Sequence, residues 1–192
     1  MKFILTMMLA GSFGLAAADE VQPFSFKNIQ LNSTIDVANS YSQILCKELP
    51  EDKKVLGDKQ CTYMKPGPYG QLNPDLATFG GAPVNYIFMN YFNDRLKEIF
   101  VSVESKSFSQ IVGALREKYG PPLDEKRVPI QTKAGAVYEN VVMKWRSGES
   151  TLTAEKYFGS VDSSALKFEM DDYITEVGKR RKEKSKQGAS DL

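Results

Sequence analysis

The stretch VNYIFMNYFNDRLKEIFVSVE, residues 84–104, decides the fold. Val84 to Phe92 is rich in aromatic and β-branched residues, and Asn93-Asp94 is a tight-turn pair. Leu96 to Glu104 then resumes with Ile99, Val101 and Val103 on one face. The stretch reads as a β-hairpin from which an antiparallel sheet is built outward. Tyr86, Phe88, Tyr91 and Phe92 give the first strand apolar side chains on both faces, as a strand buried on both sides requires. The functional alternative is an exposed aromatic platform for a peptide or partner protein. On that reading Tyr91, with Tyr69 and Leu72 of the preceding loop, is the expected partner contact.

Toward the C-terminus the period changes. Ser107 stands as a helix cap with Gln110 completing a capping box, and Phe108, Ile111, Val112, Leu115 and Tyr119 form one apolar stripe. Gly120 ends this helix and Pro121-Pro122 prevents its continuation. A polar loop is expected to about Gly135. Three strands follow: one with Val137, Val141, Met143 and Trp145 on a face, one over Thr151–Phe158, and one over Ala165–Tyr173 in which Leu166, Phe168 and Met170 alternate with Lys167, Glu169 and Asp171. They predict an antiparallel meander, apolar on one face and polar on the other. From Ile174 a short helix runs into a basic tail, where the apolar residues vanish and order is expected to be lost over 179–192.

Toward the N-terminus, Phe24, Phe26, Ile29 and Leu31 suggest an opening strand with a bend. Ser33 as cap, Asp36, and Val37, Tyr41, Ile44, Leu45 and Leu49 at helical spacing predict a first helix over 34–48 that carries Cys46. Residues 51–58 are a charged connector, and Cys61 to Met64 a short strand. The Pro/Gly-rich residues 65–83 read as a long loop. The element order is therefore two consecutive units, each a helix followed by an antiparallel strand group.

Location comes from the first eighteen residues, MKFILTMMLAGSFGLAAA. Lys2, an apolar run over Phe3–Leu15 and the small residues Ala16 to Ala18 form a secretory signal peptide with cleavage expected near Ala18. The expected result is a periplasmic or secreted protein with one domain over 19–178. No cysteine adjoins the cleavage point, so a lipid-anchored mature end is not expected. The mature chain is formally neutral, which gives no global pull toward nucleic acid or an anionic membrane. From Lys179 onward, however, six basic residues face two acidic ones, a net +4. Lys179, Arg180, Arg181 and Lys182 are the expected contacts for an anionic surface such as lipid headgroups.

The chain contains no histidine, which removes Ser-His-Asp and Cys-His nucleophiles and histidine metal ligation. In an oxidising compartment Cys46 and Cys61 are expected to form a disulfide; their spacing is not CxxC, and two cysteines without histidine do not complete a zinc shell. Ser164-Ala165-Leu166-Lys167 matches S-x-x-K, but that motif needs a helix to bring serine and lysine to one face, and an alternating strand separates them. The adjacent carboxylates Glu51-Asp52, Asp124-Glu125 and Asp171-Asp172 lie in expected turns and strand ends, and no calcium loop is present. No catalytic residue, metal ligand or cofactor site is assigned.

The run Phe108, Ile111, Leu115-Arg116-Glu117-Lys118-Tyr119-Gly120-Pro121-Pro122, followed by a strand bearing Trp145, resembles small bacterial periplasmic proteins. Their helix-then-antiparallel-sheet units are similar to those of the outer-membrane assembly lipoprotein BamE and of the β-lactamase inhibitor protein. The resemblance covers roughly residues 24–173 in element order; the chain departs from BamE in lacking a lipidated cysteine, and no pattern matches the inhibitor's contact loops. It implies an α+β scaffold, an antiparallel sheet covered on one face by two helices, that binds proteins. The expected function is a non-catalytic periplasmic binding or adaptor protein whose partner is another envelope protein. The alternatives are an inhibitor or sensor that binds an enzyme or envelope ligand, and an enzyme with a carboxylate-based site.

Overall fold

The hairpin at 84–104 is the spine of the molecule. Its strands pair antiparallel and its turn residues Asn93 and Asp94 take φ of 50° and 57°, the left-handed pair that a two-residue hairpin demands and that Asn and Asp tolerate. The computed structural model describes residues 22–66 and 73–190; the leader over 1–18, Tyr69 and Leu72 lie outside the described residues. In chain order the elements are β1 (Ser25–Phe26), β2 (Ile29–Gln30), α1 (Ile35–Asn39), β3 (Leu45–Glu48), β4 (Lys59–Met64), β5 (Thr78–Phe79) and β6 (Ala82–Phe92). They continue with β7 (Arg95–Glu104), α2 (Phe108–Tyr119), β8 (Asp124–Gln131), β9 (Val137–Ser147), β10 (Ser150–Glu155), β11 (Ser163–Met170) and α3 (Asp171–Ser190).

The protein is a mixed α+β fold with antiparallel strand pairing. One sheet runs in the order β3-β4-β6-β7-β11-β10-β9-β8, with β5 added beside β6. Two meanders thus meet at β7 and β11, the last strand of each. The core-facing residues of these strands, among them Ile87, Met89, Ile99, Val101, Leu152, Leu166 and Phe168, are fully buried. They pack in one cluster with Phe24, Phe26 and Ile29 of the β1–β2 hairpin and with Phe108, Ile111, Val112 and Leu115 of α2. Each such side chain contributes roughly 1.5–3 kcal/mol by leaving water.

Helix α2 lies where its stripe predicts, and Gly120 closes it at φ 77°, a conformation glycine adopts without Cβ strain. The Trp145 indole N–H donates to the Gly120 carbonyl at 2.9 Å, so the tryptophan of the meander fastens the helix end to the sheet. The capping box does not form. Ser107 makes no side-chain cap, and Gln110 instead donates through Nε2 to the Gly80 carbonyl, tying α2 to the turn before β6.

Four expectations are corrected. The first helix is only Ile35–Asn39, capped at Thr34 and not Ser33, and Leu45–Glu48 is strand β3. Ser40 stops the helix by donating its hydroxyl to the Val37 carbonyl, and strand pairing with β4 then overrides the helical spacing of the apolar residues. Residues 124–131 are not a loop but strand β8, polar because it is an edge strand exposed on both faces. The strand after the Ser147–Ser150 turn ends at Glu155, leaving Tyr157 and Phe158 in the following turn. Helix α3 begins at Asp171 and continues through the basic stretch to Ser190. Tyr173 and Val177 are buried, Arg180 donates to the Lys54 carbonyl at 2.8 Å, and Lys184 to the Asp52 carbonyl at 2.8 Å; these contacts hold a helix that hydrophobicity alone does not.

Candidate partner-binding surface

The face of the sheet opposite the core is built by strand register. Leu45, Thr62, Phe88, Phe100, Lys167, Thr153 and Lys144 stand side by side across β3, β4, β6, β7, β11, β10 and β9. The next row holds Met64, Tyr86, Ser102, Ala165, Glu155 and Val142. Opposed side chains on antiparallel strands share a face, so these two rows form one surface.

That surface is apolar over β3 to β7. The Tyr86 ring lies 5.0 Å from Phe88 and stacks on Phe100 at 5.9 Å, and Phe158 from the β10–β11 turn adds a fourth ring 5.2 Å from Phe100. The Lys167 ammonium sits over the Phe158 ring at 4.3 Å. All four rings are half-buried, while Leu45 and Met64 beside them are 75% and 68% exposed. Contiguous apolar surface of this kind marks contact sites on soluble proteins.

Helix α3 borders the surface at a third row. Asn90, Glu98 and Glu169 stand opposite one another on β6, β7 and β11. The Tyr173 hydroxyl of α3 donates to Glu98 Oε2 at 2.7 Å, and Asn90 Nδ2 donates to the same carboxylate. Burial and the neighbouring Glu98 carboxylate push the Glu169 carboxyl above its ordinary range. A cleft of about 190 Å³ lined by Glu98, Glu169, Ile174, Gly178 and Arg181 separates the helix flank from the rows beyond.

The expected contact residues divide. Tyr91 is fully buried and belongs to the core, which overturns its assignment to a partner surface; its neighbours Tyr86 and Phe88, on the other face of the same strand, are the open ones. The reason is the period of two, which sends alternate residues of β6 to opposite faces. Of the four tail cations, Arg180 turns inward, stacks on Phe92 at 4.2 Å and binds Glu176 at 2.8 Å, so it anchors the helix and does not face outward. Lys179, Arg181 and Lys182 are exposed. Leu45, Met64 and Phe100 were missed by sequence reasoning because their alignment with Tyr86 and Phe88 exists only in the register.

The S-x-x-K residues, the Asp171-Asp172 pair and the two cysteines each make contacts within the fold. Ser164 is buried and donates to the Lys156 carbonyl, while Lys167 points to the open face, so the S-x-x-K pair is split across the sheet. Asp171 and Asp172 open α3, where Arg146 and Lys97 pair with them, the Lys97 contact at 2.6 Å, and both carboxylates favour the positive end of the helix. Cys46 and Cys61 form a disulfide across β3 and β4, with Cα atoms 3.9 Å apart. Among the described residues no group of three or more acidic, cysteine or histidine side chains could hold a metal ion, and no helix is long and apolar enough to cross a membrane. No family model, curated protein or solved structure matches the chain.

Proposed function

We propose that this chain is an exported, non-catalytic adaptor that seats another envelope protein on the open sheet face. The observation that supports it is the contiguous patch of Leu45, Met64, Tyr86, Phe88 and Phe100 on the strands with Phe158 from the β10–β11 turn. Aromatic side chains with few rotatable bonds are the residues that carry binding energy at protein interfaces. We read the stretches α1–β7 and α2–β11 as two tandem units joined along β7 and β11, with α1 and α2 on the core side; the strand order favours this and leaves the joined outer surface for the partner.

A photo-crosslinking residue at position 88 tests the reading in the native envelope. The expected result is one crosslinked protein species that disappears with Phe100→Ala, against a control crosslinker at Val137 that yields none. Equal crosslinking from both positions, or none from 88, overturns it. An inhibitor differs from an adaptor only in its partner, and loss of the captured protein's enzymatic activity in the purified complex identifies that case.

A further inference from the structure

Helix α3 sorts its charges by face. At about 100° per residue, the residues that meet the body are Tyr173, Val177, Arg180 and Lys184. The same periodicity sends Lys179, Lys182 and Lys186 to the opposite side, at i, i+3 and i+7, where all three are exposed. They span about 10 Å along the axis. Of the acidic residues in this part of the helix, Glu176 is taken by Arg180, and Glu183, two turns later, borders the row four residues after Lys179 and three before Lys186. Arg181, on the flank toward the sheet, lines the cleft with Glu98 and Glu169 and stands apart from the row.

We propose that this lysine row docks the protein on an anionic bilayer, the ammonium groups pairing with lipid headgroup phosphates. Charge complementarity selects the partner, and the residue types select a membrane over a protein. Protein interfaces are depleted of lysine and centre on buried aromatic anchors, and the outward face of α3 carries no aromatic or aliphatic side chain among residues 179–186. A flat row of flexible point charges suits a fluid array of phosphates, where each basic side chain adds independently. Anchoring by Arg180 and Lys184 fixes which way the row points. The proposal does not depend on the sheet-face reading, since no residue is shared.

Co-sedimentation of the purified protein with phosphatidylglycerol-rich vesicles, against pure phosphatidylcholine vesicles, tests it. Binding is expected only to the anionic vesicles and is expected to fall as salt is raised. The triple variant K179A/K182A/K186A should bind about fivefold more weakly per lysine removed, of order 100-fold in all. The control K106A/K126A/K133A removes the same charge from exposed lysines elsewhere and should leave binding unchanged; circular dichroism should show both variants folded. Equal loss in the two variants, no binding of the parent protein, or binding to polyglutamate in place of vesicles would each overturn the proposal.

Discussion

Glu98 and Glu169 stand directly opposite one another on β7 and β11, two carboxylates on one face of adjacent strands. Glu98 is satisfied by Tyr173 and Asn90, while Glu169 has no ion pair with Lys144 or Lys167 within 4.0 Å. Directly opposed like charges cost about 0.2–1 kcal/mol. Because the folded-state pKa of Glu169 lies above its ordinary value of 4.5, the folded form binds the proton more tightly than the unfolded chain does. The cost is therefore present above the raised pKa and is relieved as pH falls toward 4.5. Glu169→Gln should stabilise the protein by about 0.5 kcal/mol at neutral pH, with the advantage over wild type closing on acidification. Urea denaturation of both forms across that range checks the sign.

Tyr91 carries a different kind of cost. Its ring is fully buried and its hydroxyl has no hydrogen-bond partner among the described residues, and burial pushes the phenol above its ordinary range. An unsatisfied buried polar group costs about 1–3 kcal/mol, so Tyr91→Phe should be neutral or stabilising. Tyr91→Ala should lose about 3–5 kcal/mol as a core cavity opens. The contrast is Tyr173→Phe, which removes bonds to Glu98 and to the Leu56 carbonyl and should destabilise. A Tyr91→Phe variant that loses more than a kilocalorie would reveal a partner for that hydroxyl.

The hairpin at 84–104 was legible from its aromatic and β-branched content around the Asn93-Asp94 turn, and helix α2 and strands β9 and β11 from apolar residues that repeat with the period of one element type. Strand β3 was not, since Val37, Tyr41 and Ile44 mimic a helix while what determines the structure of 45–48 is pairing with β4, whose residues follow beyond an intervening connector. Strand β8 carried no signal because neither face is buried, and the cross-strand backbone bonds to β9 hold it without a periodic pattern. Helix α3 was only half legible: Tyr173 and Val177 are apolar anchors, but Arg180 and Lys184 hold through polar tips that composition reads as solvated charge. Apolar residues on both faces of β6 read first as a strand buried on both sides, with an exposed platform as the alternative; that Tyr91 is buried while Tyr86 and Phe88 are half-buried follows from the register.

The Trp145–Gly120 contact makes a local prediction about the motif that carried the resemblance. Trp145→Phe keeps most of the buried ring but removes the indole N–H and leaves the Gly120 carbonyl without that donor. A loss of about 1–2 kcal/mol is expected, larger than the mean for a hydrogen bond because the acceptor sits at a helix end. Gly120→Ala acts on the same joint differently. A Cβ there meets no heavy atom within 4 Å, so its whole cost is the positive-φ extended backbone, φ 77° and ψ −167°, about 1–3 kcal/mol. Both variants should increase hydrogen exchange at the last turn of α2 and leave β3 and β4 unchanged.

The disulfide acts at the other end of the sheet. Cys46 and Cys61 are register partners on β3 and β4, and they lie 15 positions apart in sequence, with the connector between the strands in the closed loop. Closing a loop of that length lowers the entropy of the unfolded chain by an amount worth about 3 kcal/mol in the chain-entropy model. Among the described residues strand β3 is an edge strand paired with β4 alone, and its residues Leu45, Lys47 and Glu48 are exposed, so the bond and this one ladder hold it. The double variant Cys46→Ser, Cys61→Ser should therefore lose about 3 kcal/mol in urea denaturation, and reduction of the wild type should reproduce the loss. Local exchange should separate the two consequences. If β3 detaches first, its amides lose protection under native conditions while those of β6 and β7 keep theirs, and Leu45 leaves the open face with it. A reduced protein as stable as the oxidised one, with β3 still protected, would mean that the strand pairing alone is sufficient.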